Sequence, residues 1–315
     1  MQIVDLGTGG AARSIAQAIN GKGQIAGAFE FPTHAFRWDP GAGFTDLGTL
    51  EGRETAGQAI NGHGDVVGAT YLSYGTGKSE VHHAILWPIG EPARDLGSLG
   101  GMRSSATGIN DERQIVGVID HGTFLRGFLR EPSGKLIDIG TLGGSSSRAW
   151  GVNNAGQVVG ASRTIHGAFH AFLWQQGTGM MDLGTIGGLN SEALAINDGG
   201  QVVGWSEDWW NNDPRAFVWS GGAMRALPHP PGVTRSAANH INRLGQIVGA
   251  APSEPGDPAG KMAACLWQNR LAVSLPSLTS WSAANGINDL GEIVGVAGTY
   301  TGRNAVLWAP GPPAP

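Results

Sequence analysis

Two histidines, four arginines and a tryptophan pair are the groups in this sequence whose types could do chemistry: His240 and His229; Arg13, Arg103, Arg148 and Arg235; Trp209 and Trp210. Histidine titrates near neutrality, so His240 with His229 can act as general acid and base. Guanidinium groups around one opening can hold a carboxylate, sulfate or phosphate. The tryptophans stand in EDWWNND at 207–213, where indole faces beside acids and amides suit stacking on a sugar or planar ligand. Tyr74, in the long insertion 69–82 with Tyr71 and His82, is a further aromatic candidate for substrate binding. No metal or cofactor is expected. Asp208, Asn211 and Asp213 fit no known calcium-loop spacing, and the GTLGG segments lack the Lys-Ser/Thr and following helix of a phosphate loop. No Gly-x-Ser-x-Gly elbow is present, and the one cysteine, Cys265, has no fixed histidine partner.

What makes these residues candidates is that they break or decorate a repeat. Asn follows Ile or Val at 20, 61, 110, 153, 197, 242 and 288. Seven residues later stands Gly27, Gly68, Gly117, Gly160, Gly204, Gly249 or Gly295, and six residues earlier stands Ser or Thr. His240 occupies a slot that is Ala or Gly in the other six units, so a large polar group sits where strands crowd near an axis. Its plainer role is a hydrogen-bonded side chain filling a void. Arg13, Arg103 and Arg235 share the register seven before the Asn, with Arg148 two positions further on; Glu54 in the same register offers a pairing partner. Solvated loop charge is the alternative for the arginines, self-packing of the loop for the tryptophans, and an ordinary loop position for His229.

Each unit reads as four short strands. The first runs from the Ser to the Asn, the second is Q-[IV]-V-G, the third is HAFLW or a variant, and the fourth ends in DLG. Asn-x-x-Gly joins the first two in six units and is a type I turn signature. Arg113 replaces that Gly in the third unit and predicts a strained turn. Four antiparallel strands repeated seven times predict an all-β, seven-bladed β-propeller in one domain over 1–315. The blades are approximately 9–49, 50–98, 99–141, 142–185, 186–228, 229–276 and 277–308 plus 1–8, with 309–315 a Pro-rich tail. The chain opens on a lone fourth strand, MQIVDLG, and ends on a third strand, NAVLW, so the first strand should complete the last blade and close the ring.

The units resemble the HAF-repeat proteins through His-Ala-Phe at 34–36 and 170–172, and the resemblance covers nearly the whole chain. It implies a propeller and carries over no catalytic residue; members are often extracellular. His34, His83 and His170 recur at one register where Arg126 and Arg215 stand elsewhere, which points to a structural hydrogen bond.

Composition narrows the classes. Fifty-three glycines without a Gly-X-Y period, with 41% hydrophobic residues, fit many tight turns rather than collagen or disorder. A net charge of −5 without a basic run argues against nucleic acid. No apolar run reaches a membrane span, and the N-terminus lacks a signal-peptide pattern. A soluble monomer in the cytoplasm is expected, or a secreted protein if the chain is trimmed. Three functions fit: a small-molecule or saccharide enzyme of lyase, isomerase or cyclase type with an axial pocket, a non-catalytic ligand or glycan binder, and a protein-interaction scaffold. The pocket is expected at the axis, on the face of the second-to-third loops. His240 should line it, with His229, Arg103, Arg148 and Arg235 at its mouth and Trp209 or Trp210 at its rim.

Overall fold

The computed structural model of the chain describes residues 1–31, 33–50, 53–71, 82–209, 213–229, 233–252, 261–268 and 271–310. They form seven four-stranded antiparallel sheets arranged as the blades of a propeller, and no helix long and apolar enough to cross a membrane occurs among them. Blade four shows the plan: Gly143–Val152, Val158–Thr164, Phe169–Gln175 and Gly179–Gly184, each paired with the next. The seventh sheet joins the two ends of the chain. Gln2–Gly7 lies along Arg303–Ala309, with Ile3 opposite Trp308 and Asp5 opposite Val306. The N-terminal strand therefore closes the ring.

The three fixed offsets of the repeat have three structural causes. Each innermost strand carries a β-bulge two to four residues before its Asn, as between Ala149 and Gly151. The bulge presses the strand against its neighbour. A Cβ on any of the seven glycines of the second strand would meet a first-strand carbonyl oxygen at 1.9–2.1 Å, so only glycine fits. The buried Ser or Thr at the start of each first strand accepts the amide N–H of the previous blade's third strand at 2.8–3.0 Å, in all seven blades. Its own hydroxyl donates to a carbonyl such as Gly184 O. These links staple each blade to the next.

The Asn forms a second girdle. Each Nδ2 donates to the backbone carbonyl of the Asn one blade on, from Asn20 round to Asn288 and back to Asn20, at 2.9–3.2 Å. Each Oδ1 accepts the amide N–H four residues later, and each Nδ2 also reaches that residue's side chain, usually Gln. The amide is thus fully bonded while buried, which makes its loss costly.

The HAF and DLG signatures are likewise structural. His34, His83 and His170 pair through Nδ1 with Asp46, Asp95 and Asp182 at 2.8–2.9 Å, the expected structural bond. The Ala amide takes the Ser or Thr staple, and the Phe is fully buried between blades. Arg113 does adopt a positive φ of 58°. It also has a partner: its Nε lies 2.8 Å from Asp65 Oδ2, a buried carboxylate at the position held by Gln or Glu in every other unit. Burial raises the Asp65 pKa, but the Ile89 N–H, Asn61 and Arg113 outweigh it and hold the group below its ordinary value.

Candidate functional site

The innermost strands run from one face of the ring to the other, and the candidates divide between their two ends. The turns after strands one and three form one face; the loops after strands two and four form the other. His240 lies two residues from the Asn girdle, at the turn end. Arg13 and Arg103 open their strands at the loop end, and Arg235 precedes Ala237–Ile241 at the same end. Five residues of strand separate Arg235 from His240 along the axis, about 16 Å. The expected convergence of His240 with the arginines does not occur, because Ser-to-Asn strand length sets that separation.

At the turn face, a cavity of about 360 Å³ lies on the axis. The Asn girdle lines it, and the residues that follow each Asn form its rim: Gly21, Gly62, Asp111, Asn154, Asp198, Arg243 and Asp289. Asn154 bridges Asp111 and Asp198, and Arg243 Nε lies 2.6 Å from Asp289 Oδ2. His240 alone of its register projects a polar ring into this wall. Burial pushes its pKa down to about 4, against the charge of Asp289 and a hydrogen bond with the Ile287 backbone. Its Nδ1 is shut from solvent with no hydrogen-bond partner. This cavity opens on the face opposite the one expected.

His229 is at the other end and does not approach His240. Arg215 Nε donates to His229 Nε2 at 2.6 Å, and Nδ1 faces the staple hydroxyl of Ser236 at 3.4 Å. Burial and then the Arg215 charge lower its pKa, so the ring is neutral. It replaces the His–Asp pair of the regular blades, because the fourth strand here has Ala226 at the Asp position. Both nitrogens are committed to the joint between blades five and six.

The loop face gathers the rest. Arg13 lies over the exposed Phe31 ring at 5.6 Å. Arg148 and Arg163 both lie over Phe169, at 5.1 and 5.0 Å, and Arg126 lies over Phe124 at 4.9 Å. Arg235 Nε is 3.6 Å from Asp213, and Trp209 is 75% exposed. Ile165, Leu189, Met102 and Tyr300 are exposed on this face too. Trp210 and Tyr74 lie outside the described residues. Sequence reasoning passed over Arg163, Phe169 and Phe31, whose loops vary between units and carry no motif. It also passed over Trp150 and Glu192, large side chains on innermost strands, joined Nε1 to Oε1 at 2.7 Å between blades four and five. Trp150 stands where the other units have Gln, Thr, Leu or Asn, and its bulk was a readable signal. Among the described residues no group of three or more His, Cys, Asp or Glu is arranged to hold a metal ion.

No family model matches this chain, and no curated protein matches it. Solved structures of similar shape are β-propellers. The propeller domain of the Trilobed protease from Pyrococcus furiosus aligns with a TM-score of 0.59 at 12% identity, over 94% of this chain and 95% of that one. Oligogalacturonate lyase from Vibrio parahaemolyticus aligns at 0.58 and 12%, over 97% and 92%. A puromycin-hydrolysing peptidase from Mycobacterium tuberculosis aligns at 0.60 and 11%, over 94% of this chain and 51% of that one. The Pyrococcus domain has an open velcro topology, whereas here the N-terminal strand completes the last blade. These likenesses establish the fold, a propeller that serves enzymes of several kinds.

Proposed function

We propose that this propeller is a ligand-binding protein whose recognition face is the loop face, and that its ligand is an acidic saccharide. The observation that carries this reading is Phe169 flanked by Arg148 and Arg163. Two guanidinium groups gathered over one aromatic ring suit the carboxylate of an acidic sugar, which takes the charge-assisted bonds, while the exposed Trp209 suits stacking by a sugar ring. Arg13 with Phe31, and the exposed Trp209, extend the same chemistry to other blades, as an oligomeric ligand would use it. Binding is favoured over the lyase, isomerase or cyclase alternative because the titratable candidates stand apart. His229 is bonded on both nitrogens, and His240 is at the far end of the ring from the arginines. We also assign the chain to the HAF-repeat proteins, on the roles that His, Ala and Phe have in the two blades that carry all three.

The test is calorimetric titration with galacturonic acid oligomers and with neutral malto-oligosaccharides, for the parent chain and for Arg148→Ala/Arg163→Ala. Acidic oligomers should bind and neutral ones should not, and the double substitution should weaken binding about tenfold or more, some 1.4 kcal/mol. Equal binding of neutral sugars, or no change in the double variant, overturns the reading. Accumulation of unsaturated product during the titration would restore the lyase alternative.

A further inference from the structure

Blade one departs from the repeat at three registers that meet in one place. Blades two to five carry Leu50, Leu99, Leu142 or Ile186 in the turn that leads into the first strand, and blade one has Gly9 there. Nine residues after its Asn stands Phe29, where the other units have Thr, Ile, Ser or Ala. Two residues before the fourth-strand Asp stands Phe44, where the other units have Ala, Leu, Met or Ile. The departures are coupled. A Cβ on Gly9 would meet the Phe29 ring at 2.6 Å, so the aliphatic side chain of the other blades is excluded. The Phe29 and Phe44 centroids are 5.2 Å apart, and Phe36 packs against both at 4.8 and 4.9 Å. Phe29 and Phe44 line a cavity of about 250 Å³ at the loop end of the blade, together with the glycine turn and the His34–Asp46 pair. Asp46 Oδ2 takes His34 Nδ1 at 2.9 Å and Oδ1 takes the Gly48 N–H at 2.7 Å, so the carboxylate is used and the ring is fixed. A neutral imidazole that donates through Nδ1 keeps its lone pair on Nε2. Among the described residues no hydrogen bond reaches Nε2, and the side chain is 24% exposed, within reach of a ligand. His83–Asp95 and His170–Asp182 repeat the pair without the two phenylalanines.

We propose that this cavity binds a small phenolic compound, its ring against Phe29 and Phe44 and its hydroxyl donating to His34 Nε2. An apolar cavity of about 150 Å³ holds one benzene ring. The larger volume here has room for a ring with a polar substituent. Aromatic walls favour an aromatic guest through offset or edge-on contacts. An acceptor at the wall selects a guest with an O–H over its ether, and the Asp46 carboxylate disfavours an acidic one. The site shares no residue with the saccharide reading and does not depend on it. Its chemistry is packing and hydrogen bonding, with no covalent step.

Calorimetric titration with phenol tests it, with anisole and cyclohexanol as controls. Anisole keeps the ring and loses the donor; cyclohexanol keeps the donor and loses the ring. Phenol should bind the parent chain, and each control should bind about tenfold more weakly or not at all. His34→Arg installs the residue that Arg126 supplies in blade three, where it faces Asp138, so the fold should survive, as thermal unfolding would verify. It removes the acceptor and should weaken phenol about tenfold or more. His83→Arg makes the same change in blade two, away from the phenylalanines, and should leave phenol binding unchanged. No phenol binding, a control that binds as tightly as phenol, equal binding in His34→Arg, or an equal loss in His83→Arg overturns the proposal.

Discussion

Asn153 and Arg148 lie five residues apart on the same innermost strand of blade four, and they illustrate two kinds of position. At the turn end, Asn153 has the same kinds of bond as its six counterparts: a carbonyl one blade on, the side chain four residues later, here Gln157, and backbone N–H in its own turn. At the loop end, Arg148 has no counterpart in its register; it leans on Phe169, which belongs to its own blade. Uniform residues close the ring, and residues that differ from blade to blade are free to meet a ligand. The exception is informative. His240 is a variable residue at the uniform end, and its buried Nδ1 has no hydrogen-bond partner.

The sharpest way to break this contrast is to attack closure. Deleting residues 1–8 removes the strand paired with Arg303–Ala309 and exposes a sheet edge, so Tm should fall by about 10 °C or more. An unchanged melting curve would mean that the ring does not depend on this strand. Next come the two positions of blade four. Asn153→Ala leaves buried partners unsatisfied and should cost about 3 kcal/mol in denaturant unfolding, whereas Arg148→Ala should stay within about 1 kcal/mol. Similar costs would erase the distinction.

His240 gives an effect that depends on pH. Its folded pKa of about 4 lies below the ordinary 6.5, so between those values the unfolded chain binds more protons than the folded one. Stability from this residue is intact above pH 6.5 and is lost as pH falls toward 4, by roughly 3 kcal/mol at most. His240→Ala should abolish that loss, and unfolding curves at pH 7 and pH 4.5 would show it. The smallest effect concerns Arg113. Arg113→Gly relieves about 1 kcal/mol of left-handed strain but strips Asp65 of its guanidinium, for a net loss of about 1–2 kcal/mol. Adding Asp65→Gln, the usual residue of the repeat, should recover that loss. A double variant no better than Arg113→Gly would show the pair to be uncoupled.

The fold was legible because its causes repeat. Asn, Ser and Gly at fixed offsets each answer one geometric demand seven times, and the orphan strands at the ends specify closure. The partner of Arg113 was not legible, since Asp65 lies in another blade and only the girdle brings them within reach. Neither was the role of His229, where the loss of the Asp in the fourth strand left Arg215 to seek a different acceptor. Fold periodicity says which residues depart from the repeat. It does not say whether two departures share a face, and that misplaced the pocket. Register along the strand could have separated them: His240 stands two residues before its Asn and the arginines five or seven.

The measurement that bears most directly on the division of labour is amide hydrogen exchange with and without a galacturonic acid oligomer. Added ligand should protect the loop face, around residues 163–169 and near Trp209, and leave the Asn-x-x-Gly turns at their free rates. Protection confined to the turns beside Asn154 and Asp198, with none on the loops, would contradict the account.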